Sequence, residues 1–315
     1  MSEPNQGPYV GDYKILSKID GPHLHSLYIG SPTKSSFSLE CTEKQTMRNV
    51  VIKLIPTTEF QGSFNNECNI FCLKPHKNII QCIDILKDVD FKEFKDLKFN
   101  ALILQYFSNG DLLDYIAQSA LDENIVRFYL EQILDGLEHL ASQGYAHRDL
   151  KPDNILLDEE FNAVLTDFGY SAKHSDANGV IIFNGVSSTS TEEIMPPEYF
   201  KELGYKAKDL DIFALGKLLL TMATGSVPFT KATKYDQEYS LIMNGNWTSY
   251  WKWIAKILRR RKELSSGFKR LIEGMLEPNP CLRFMLRDVR ESLWYQSIEP
   301  ITSGELRKKM AQIRN

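Results

Sequence analysis

The chain has 315 residues, with 37 basic and 41 acidic side chains and a net charge of −4. That length accommodates two modules or one bilobal enzyme. A composition of 43% apolar and 25% charged residues suits a folded core and excludes a disordered chain. The slight excess of acid argues against a protein-wide basic surface for nucleic acid, and no apolar run approaches the length of a membrane span.

The first twelve residues read as a flexible terminus, polar at first and carrying Pro4, Gly7 and Pro8. Tyr13–Ile19 and Leu27–Ile29 predict two strands. Val50–Ile55 is a clearer one, closed by Pro56. Between them, Ser31–Ser38 is a polar, turn-rich connection. Phe64, Cys68, Phe71 and Cys72 line one face of a short helix expected over Phe64–Leu73, ending before Pro75. Ile79–Leu86 and Ala101–Phe107 predict further strands, and the charged stretch Lys87–Lys98 an exposed hairpin arm.

After Ser108-Asn109-Gly110 the apolar period turns helical, over Leu112–Ile116, Asn124–Gln143 and Lys208–Thr224. The last twenty residues are polar and basic. The expected class is α+β: a β-rich lobe over residues 13–107, a helical lobe over 108–295 and a tail over 296–315.

Five cysteines, Cys41, Cys68, Cys72, Cys82 and Cys281, are an odd number in a chain too long to need a disulfide framework. They point to a reducing compartment. The N-terminus has neither the basic nor the apolar region of a signal peptide. A cytoplasmic protein is expected, with no membrane partner. Arg259-Arg260-Arg261-Lys262 leaves a nuclear address open, although such a run is usually a solvated helix face. Cys68 and Cys72, one helical turn apart, are expected in the core and not on a metal. Trp247, Trp251 and Trp253 either pack internally or form a partner surface.

One octapeptide carries chemistry: His147-Arg148-Asp149-Leu150-Lys151-Pro152-Asp153-Asn154, followed by Asp167-Phe168-Gly169. This pair of motifs resembles the signature of the eukaryotic protein kinase family, and the resemblance runs from about Tyr13 to Leu293. It implies a bilobal protein kinase fold that uses ATP and Mg²⁺. Phosphoryl transfer asks the protein for positioning and charge neutralisation. Asp149 would accept the proton of the substrate hydroxyl, and Lys151 would stabilise charge near the γ-phosphate. Asn154 and Asp167 would supply hard oxygen ligands to Mg²⁺.

The remaining positions follow residue by residue. Lys53 matches the family's strand lysine that grips the α- and β-phosphates, with Glu67 as its ion-pair partner. His76-Lys77-Asn78-Ile79 follows at family spacing. Leu102–Phe107 resembles the hinge strand: Leu104 as gatekeeper, the Gln105 carbonyl and the Phe107 N–H at the adenine edge. Val51 and Leu27 would cover one adenine face and Leu156 the other, with plain core packing as the competing reading of all three. Asp111 would reach the ribose or a basic substrate residue. Pro196-Pro197-Glu198 resembles the end of the activation segment. Its Glu198 is expected to pair with a buried Arg283, because arginine forks onto carboxylate. Asp211 would brace the catalytic-loop backbone.

Leu150-Lys151-Pro152 and Thr191 resemble the serine/threonine members, nearest to the calcium/calmodulin-type group. Protein substrates with Ser or Thr acceptors are therefore expected, with basic residues upstream suggested by Asp111 and Asp153. Arg148 before Asp149 suggests control by phosphorylation of the activation loop, with Ser187, Ser188 and Thr189 as candidates and Lys173 as a second phosphate partner.

The glycine-rich loop departs from the family pattern. Asp20, Pro22 and His25 stand where glycines are expected, and only Gly21 remains, out of register. Proline donates no N–H to phosphate. This is the ground for the alternative reading, a kinase-like scaffold with weak nucleotide binding.

Overall fold

The computed structural model describes residues 9–19, 26–33, 49–91, 97–183, 192–201, 204–258 and 263–314. The chain divides into two compact units, residues 1–75 with 80–107, and residues 76–79 with 108–315.

The first unit is an antiparallel sheet of six strands among the described residues: β1 (Tyr9–Val10), β2 (Tyr13–Ile19), β3 (Ser26–Pro32), β4 (Val50–Pro56), β5 (Cys82–Asp90) and β6 (Lys98–Gln105). Their order across the sheet is β1-β2-β3-β4-β6-β5. Helix α1 (Gln61–Phe71) follows β4. Side chains alternate between faces along each strand. Val50, Ile52 and Leu54 of β4 join Tyr28, Ala101, Ile103, Phe91 and Phe99 in one buried cluster. Val51 and Lys53 therefore point to the opposite face. Gly30 is needed in the cluster, since a Cβ there would lie 2.5 Å from Ile52 Cδ1.

Three expectations are corrected here. Tyr9–Val10 are not part of a loose terminus. They pair with β2, and Val10 is fully buried, because burying that valine repays the ordering of two residues. The strand expected over Ile79–Leu86 begins only at Cys82 and runs on to Asp90. Within the expected exposed arm, β5 extends to Asp90 and Phe91 lies in the sheet core against Tyr28 and Phe99, while residues 92–96 lie outside the described residues. The charges of Lys87–Lys98 hid that one aromatic anchor.

The second unit is mainly helical: α2 (Leu112–Ile116), α3 (Glu123–Ser142), α4 (Pro197–Phe200), α5 (Ala207–Thr224), α6 (Gln237–Met243), α7 (Trp247–Leu258), α8 (Ser266–Met275), α9 (Leu286–Glu291), α10 (Leu293–Ser297) and α11 (Ser303–Arg314). Short antiparallel strand pairs lie among them: β7 (Tyr145–Ala146) with β10 (Ala172–Lys173), β8 (Ile155–Leu157) with β9 (Ala163–Leu165), β11 (Ser175–Asp176) with β12 (Gly179–Val180), and β13 (Ile182–Phe183) with β14 (Tyr205–Lys206). Helix α5 is buried along nearly its whole length, as apolar residues on all its faces require. Its Gly216 admits α8, since a Cβ there would meet Met275 Cβ at 2.8 Å. The tail is not loose: α11 buries Leu306 and Met310, and Arg314 donates to Asn109 Oδ1 at 2.9 Å and to the Ser108 carbonyl at 3.1 Å.

Trp247 and Trp251 stack at 6.1 Å on α7, around a buried Tyr250. The Trp251 indole donates to Glu273 at 2.6 Å. Among the described residues no helix is long and apolar enough to cross a membrane.

The Glu198–Arg283 pair closes this unit. Two parallel bonds of 2.7 and 2.8 Å join the carboxylate and the guanidinium, both buried. Arg283 also donates to the carbonyls of Glu277 and Asp209. Removing one partner of such a buried pair strands the other charge. We expect Glu198→Ala to lower stability by about 3–5 kcal/mol, measured by urea unfolding, whereas Glu198→Gln retains part of the fork and loses less.

Candidate active site

Within the first unit, Lys53 lies between Leu27 of β3 and Leu102 of β6, and Val51 lies between Ile29 and Leu104. Directly paired residues share a face, so Leu27, Val51, Lys53 and Leu104 line the same side of the sheet. Lys53 Nζ donates to Glu67 Oε1 at 2.6 Å, and both side chains are almost fully buried. Neither ion would tolerate that burial alone.

The pair explains a further correction. The buried residues of α1 are Phe64, Glu67 and Ile70, whereas Cys72 is exposed and Cys68 only half-buried. The helix is turned so that a glutamate faces inward, because Lys53 waits there. An apolar count cannot see this. Gln105 is exposed and Phe107 buried at the end of this segment.

In the second unit the catalytic-motif residues converge. Asn154, in a short helical turn after Lys151, donates its amide to Asp149 Oδ2 at 2.8 Å and to the Asp149 carbonyl at 2.7 Å. Lys151 Nζ approaches the same Oδ2 at 2.9 Å. Burial opposes the lysine's charge, but Asp149, then Asp153 and Asp167, outweigh it and hold its pKa above the usual lysine value. Asp149 Oδ1 is buried with no hydrogen-bond partner among the described residues.

Asp167 is placed by its neighbours. The Thr166 N–H donates to the Asn154 carbonyl at 3.0 Å, and Phe168 is fully buried against the His147 ring, 5.0 Å centre to centre. Asp167 and Arg148 both adopt left-handed backbone, φ 59° and 66°, a conformation side chains rarely hold without enforcement. For Arg148 the enforcement comes from α5: Asp211 accepts from the His147 N–H at 2.8 Å and the Arg148 N–H at 2.7 Å. Burial pushes the Asp211 carboxyl pKa up, and these bonds offset part of that push.

Asp111 caps α2, accepting from the Asp114 N–H at 3.1 Å. A β-bridge sets it beside Leu156.

Sequence reasoning passed over four contributors. His147 was quoted without a role; its Nδ1 receives the Asp149 N–H at 3.2 Å and its Nε2 lies 3.1 Å from the Thr166 carbonyl. Asn78 reaches Ala163 through its side chain and Leu165 through its carbonyl, so His76-Lys77-Asn78-Ile79 anchors β9. Tyr205 and Phe183, which no motif flagged, surround Arg148. Lys173 is exposed on β10. The glycine-loop positions Asp20, Gly21, Pro22 and His25, the phosphorylation candidates Ser187, Ser188 and Thr189, Thr191, and the basic run 259–262 lie outside the described residues.

Burial, and then the nearby Asp114 and Asp153, outweigh the capping bonds and raise the Asp111 pKa from 3.8 to about 6. A raised carboxyl pKa stabilises the fold at low pH, and that contribution fades as pH rises through about 6. Asparagine caps a helix equally well and carries no charge. We expect the melting temperature of Asp111→Asn to exceed that of wild type at pH 7.5, with the gap closing or reversing at pH 4.5. Parallel thermal melts across that range would check it.

Residues 28–295 match the protein kinase domain family. Among curated relatives, the probable serine/threonine-protein kinase MARK-B of Dictyostelium discoideum is 31% identical over 93% of this chain and 38% of its own length. CBL-interacting protein kinase 24 of Oryza sativa subsp. japonica is 32% identical over 85% of this chain and 52% of its own. The carbon catabolite-derepressing protein kinase of Candida albicans is 27% identical over 94% of this chain and 43% of its own. The chain thus spans about half the length of these relatives or less. Its fold is the α+β kinase architecture, and the chain belongs to the protein kinase domain family.

Proposed function

We propose that this protein is an ATP-dependent serine/threonine protein kinase, with Asp149 as the base. The observation that carries this is the asymmetry of the Asp149 carboxylate. Oδ2 is fixed by Asn154 and Lys151, while Oδ1 is buried with no donor among the described residues. A buried acceptor without a partner lowers stability by about 1–3 kcal/mol. Its place, beside a lysine and in a braced loop, is where a substrate hydroxyl proton needs an acceptor.

Lys151 holds a positive charge next to that oxygen, suited to the phosphoryl group in flight. Lys53, paired with Glu67, would grip the α- and β-phosphates, with Leu27, Val51, Leu104 and Leu156 packing the adenine. The backbones of Gln105 and Phe107 would meet the adenine edge, and Asp111 the ribose.

Protein kinases generally use Mg²⁺, and the residues present fit it. Asn154 spends its amide N–H on Asp149, which leaves its carbonyl oxygen as a hard donor, and Asp167 adds a carboxylate. Such a cation is commonly held by one or two carboxylates together with the substrate's phosphates. Bound there, Mg²⁺ would neutralise phosphate charge.

Lys151 and the relative described as a probable serine/threonine-protein kinase support Ser/Thr acceptors. Asp111 and Asp153 favour basic residues near the acceptor. The scaffold alternative rests on Asp20, Pro22 and His25 alone, and the set Lys53, Glu67, Asp149, Asn154 and Asp167 is complete.

The test is transfer of labelled γ-phosphate from ATP with Mg²⁺ to a basic Ser/Thr peptide. Asp149→Asn should lower kcat by about 10²–10⁴-fold while leaving nucleotide affinity intact. Wild-type protein that transfers nothing, or a variant that transfers as well as wild type, would refute the assignment. Restoring one N–H with Pro22→Gly should lower KM for ATP by up to about tenfold and leave kcat unchanged, read from the same assay.

A further inference from the structure

Arg148 is where four separated stretches of chain meet. Its backbone N–H is bound by Asp211 of α5. Its guanidinium donates through Nη1 to the Tyr170 carbonyl at 3.2 Å and through Nη2 to the Tyr205 hydroxyl at 2.6 Å. The Phe183 ring lies 4.2 Å from its Cζ, and the Tyr205 ring 5.8 Å. The two rings stack on each other at 5.7 Å, on neighbouring strands, with Phe183 paired to Tyr205 across β13 and β14. Among the described residues no carboxylate hydrogen-bonds this guanidinium, and its buried Nε meets no partner.

An arginine in a site partly shielded from water needs its charge met. Here a stacked pair of aromatic rings and two oxygens meet it, at positions an incoming anion would have to take. Cation–π contacts strengthen as water is excluded, and the Tyr205 bond is charge-assisted and short. The arrangement also spans the chain between Asp167 and Glu198. Tyr170 follows the Asp167-Phe168-Gly169 motif directly. Phe183 lies in the middle of that stretch, and Tyr205 just beyond α4, which carries Glu198. A clamp at these points fixes the segment to the residue preceding Asp149.

We propose that Tyr205 and Phe183 are positioning residues that hold Arg148, so that the segment from Tyr170 to Phe183 keeps its place beside the catalytic loop without a phosphate on the chain. This rests on the kinase reading, and it makes that reading's phosphorylation candidates, Ser187, Ser188 and Thr189, dispensable for turnover.

The experiment compares wild type with Tyr205→Phe, which keeps the ring and removes only the hydroxyl. Both are treated with a Ser/Thr phosphatase until intact mass shows no phosphate. Hydrogen exchange of residues 170–183 is read first, because it needs no activity. We expect protection in unphosphorylated wild type, and exchange faster by about 10- to 100-fold in the variant. The kinase assay is read second. Dephosphorylated wild type should keep its turnover within about twofold, and dephosphorylated Tyr205→Phe should lose kcat by about 10- to 100-fold with KM for ATP little changed.

Phe183→Leu, which keeps apolar volume but no ring, should behave as Tyr205→Phe does and serves if the latter folds poorly. An unprotected segment in unphosphorylated wild type, or a tenfold fall in wild-type turnover on dephosphorylation, overturns the proposal. So does a Tyr205→Phe protein with wild-type exchange. A protected wild-type segment that Tyr205→Phe loosens, in a protein that transfers no phosphate in any state, supports the clamp and refutes the kinase reading instead.

Discussion

The carboxylate of Asp211 is the constraint on which the catalytic loop depends. It sits on the most deeply buried helix of its unit and spends each oxygen on one backbone N–H, those of His147 and Arg148. Those two bonds fix a stretch of chain that no regular element supports, and they hold Arg148 in left-handed backbone. With the loop fixed, the His147 imidazole can bridge the Asp149 N–H and the Thr166 carbonyl. Asn154 and Lys151 can then converge on a single oxygen of Asp149. A serine or amide in place of Asp211 would offer fewer acceptor sites and no charge to offset two peptide dipoles.

The same rule governs the other buried charges: each is met by a group of opposite polarity. Lys53 has Glu67 and Glu198 has Arg283. Lys217 follows it differently. It lies on α5 among apolar side chains and donates to the carbonyls of Glu193 and Thr230, with the Phe229 ring 4.6 Å from its amine. Burial, only partly offset by Glu193 and Asp236, lowers its pKa to about 8. Dipoles and a ring stabilise an ammonium less than a carboxylate does, and the lowered pKa reflects that.

Much of this was legible in the sequence because polar motifs report chemistry directly. Asp149, Asn154 and Asp167 stand where eight consecutive residues and a second motif set them, and β4 is a β-branched run closed by Pro56. What escaped detection was context. Phe91 is one aromatic in a charged stretch, and only the sheet shows it as a core anchor. The phase of α1 depends on Lys53, a residue on another element: the apolar pattern pointed to Cys72, and only the motif match to Lys53 pointed to Glu67. The Tyr205–Phe183 clamp depends on strand pairing between residues 22 positions apart in sequence, and neither residue type is diagnostic alone.

The most direct measurement of this account is Asp211→Asn, assayed for phosphate transfer, for nucleotide affinity and for hydrogen exchange at the amides of His147 and Arg148. The amide side chain keeps the size of the carboxylate but replaces one acceptor with a donor facing an N–H. The account predicts turnover lower by about 100-fold or more, faster exchange at those two amides, and nucleotide affinity close to wild type. Turnover near the wild-type value in a variant that has lost protection at both amides would contradict it, because Asp149 would then keep its geometry without the brace.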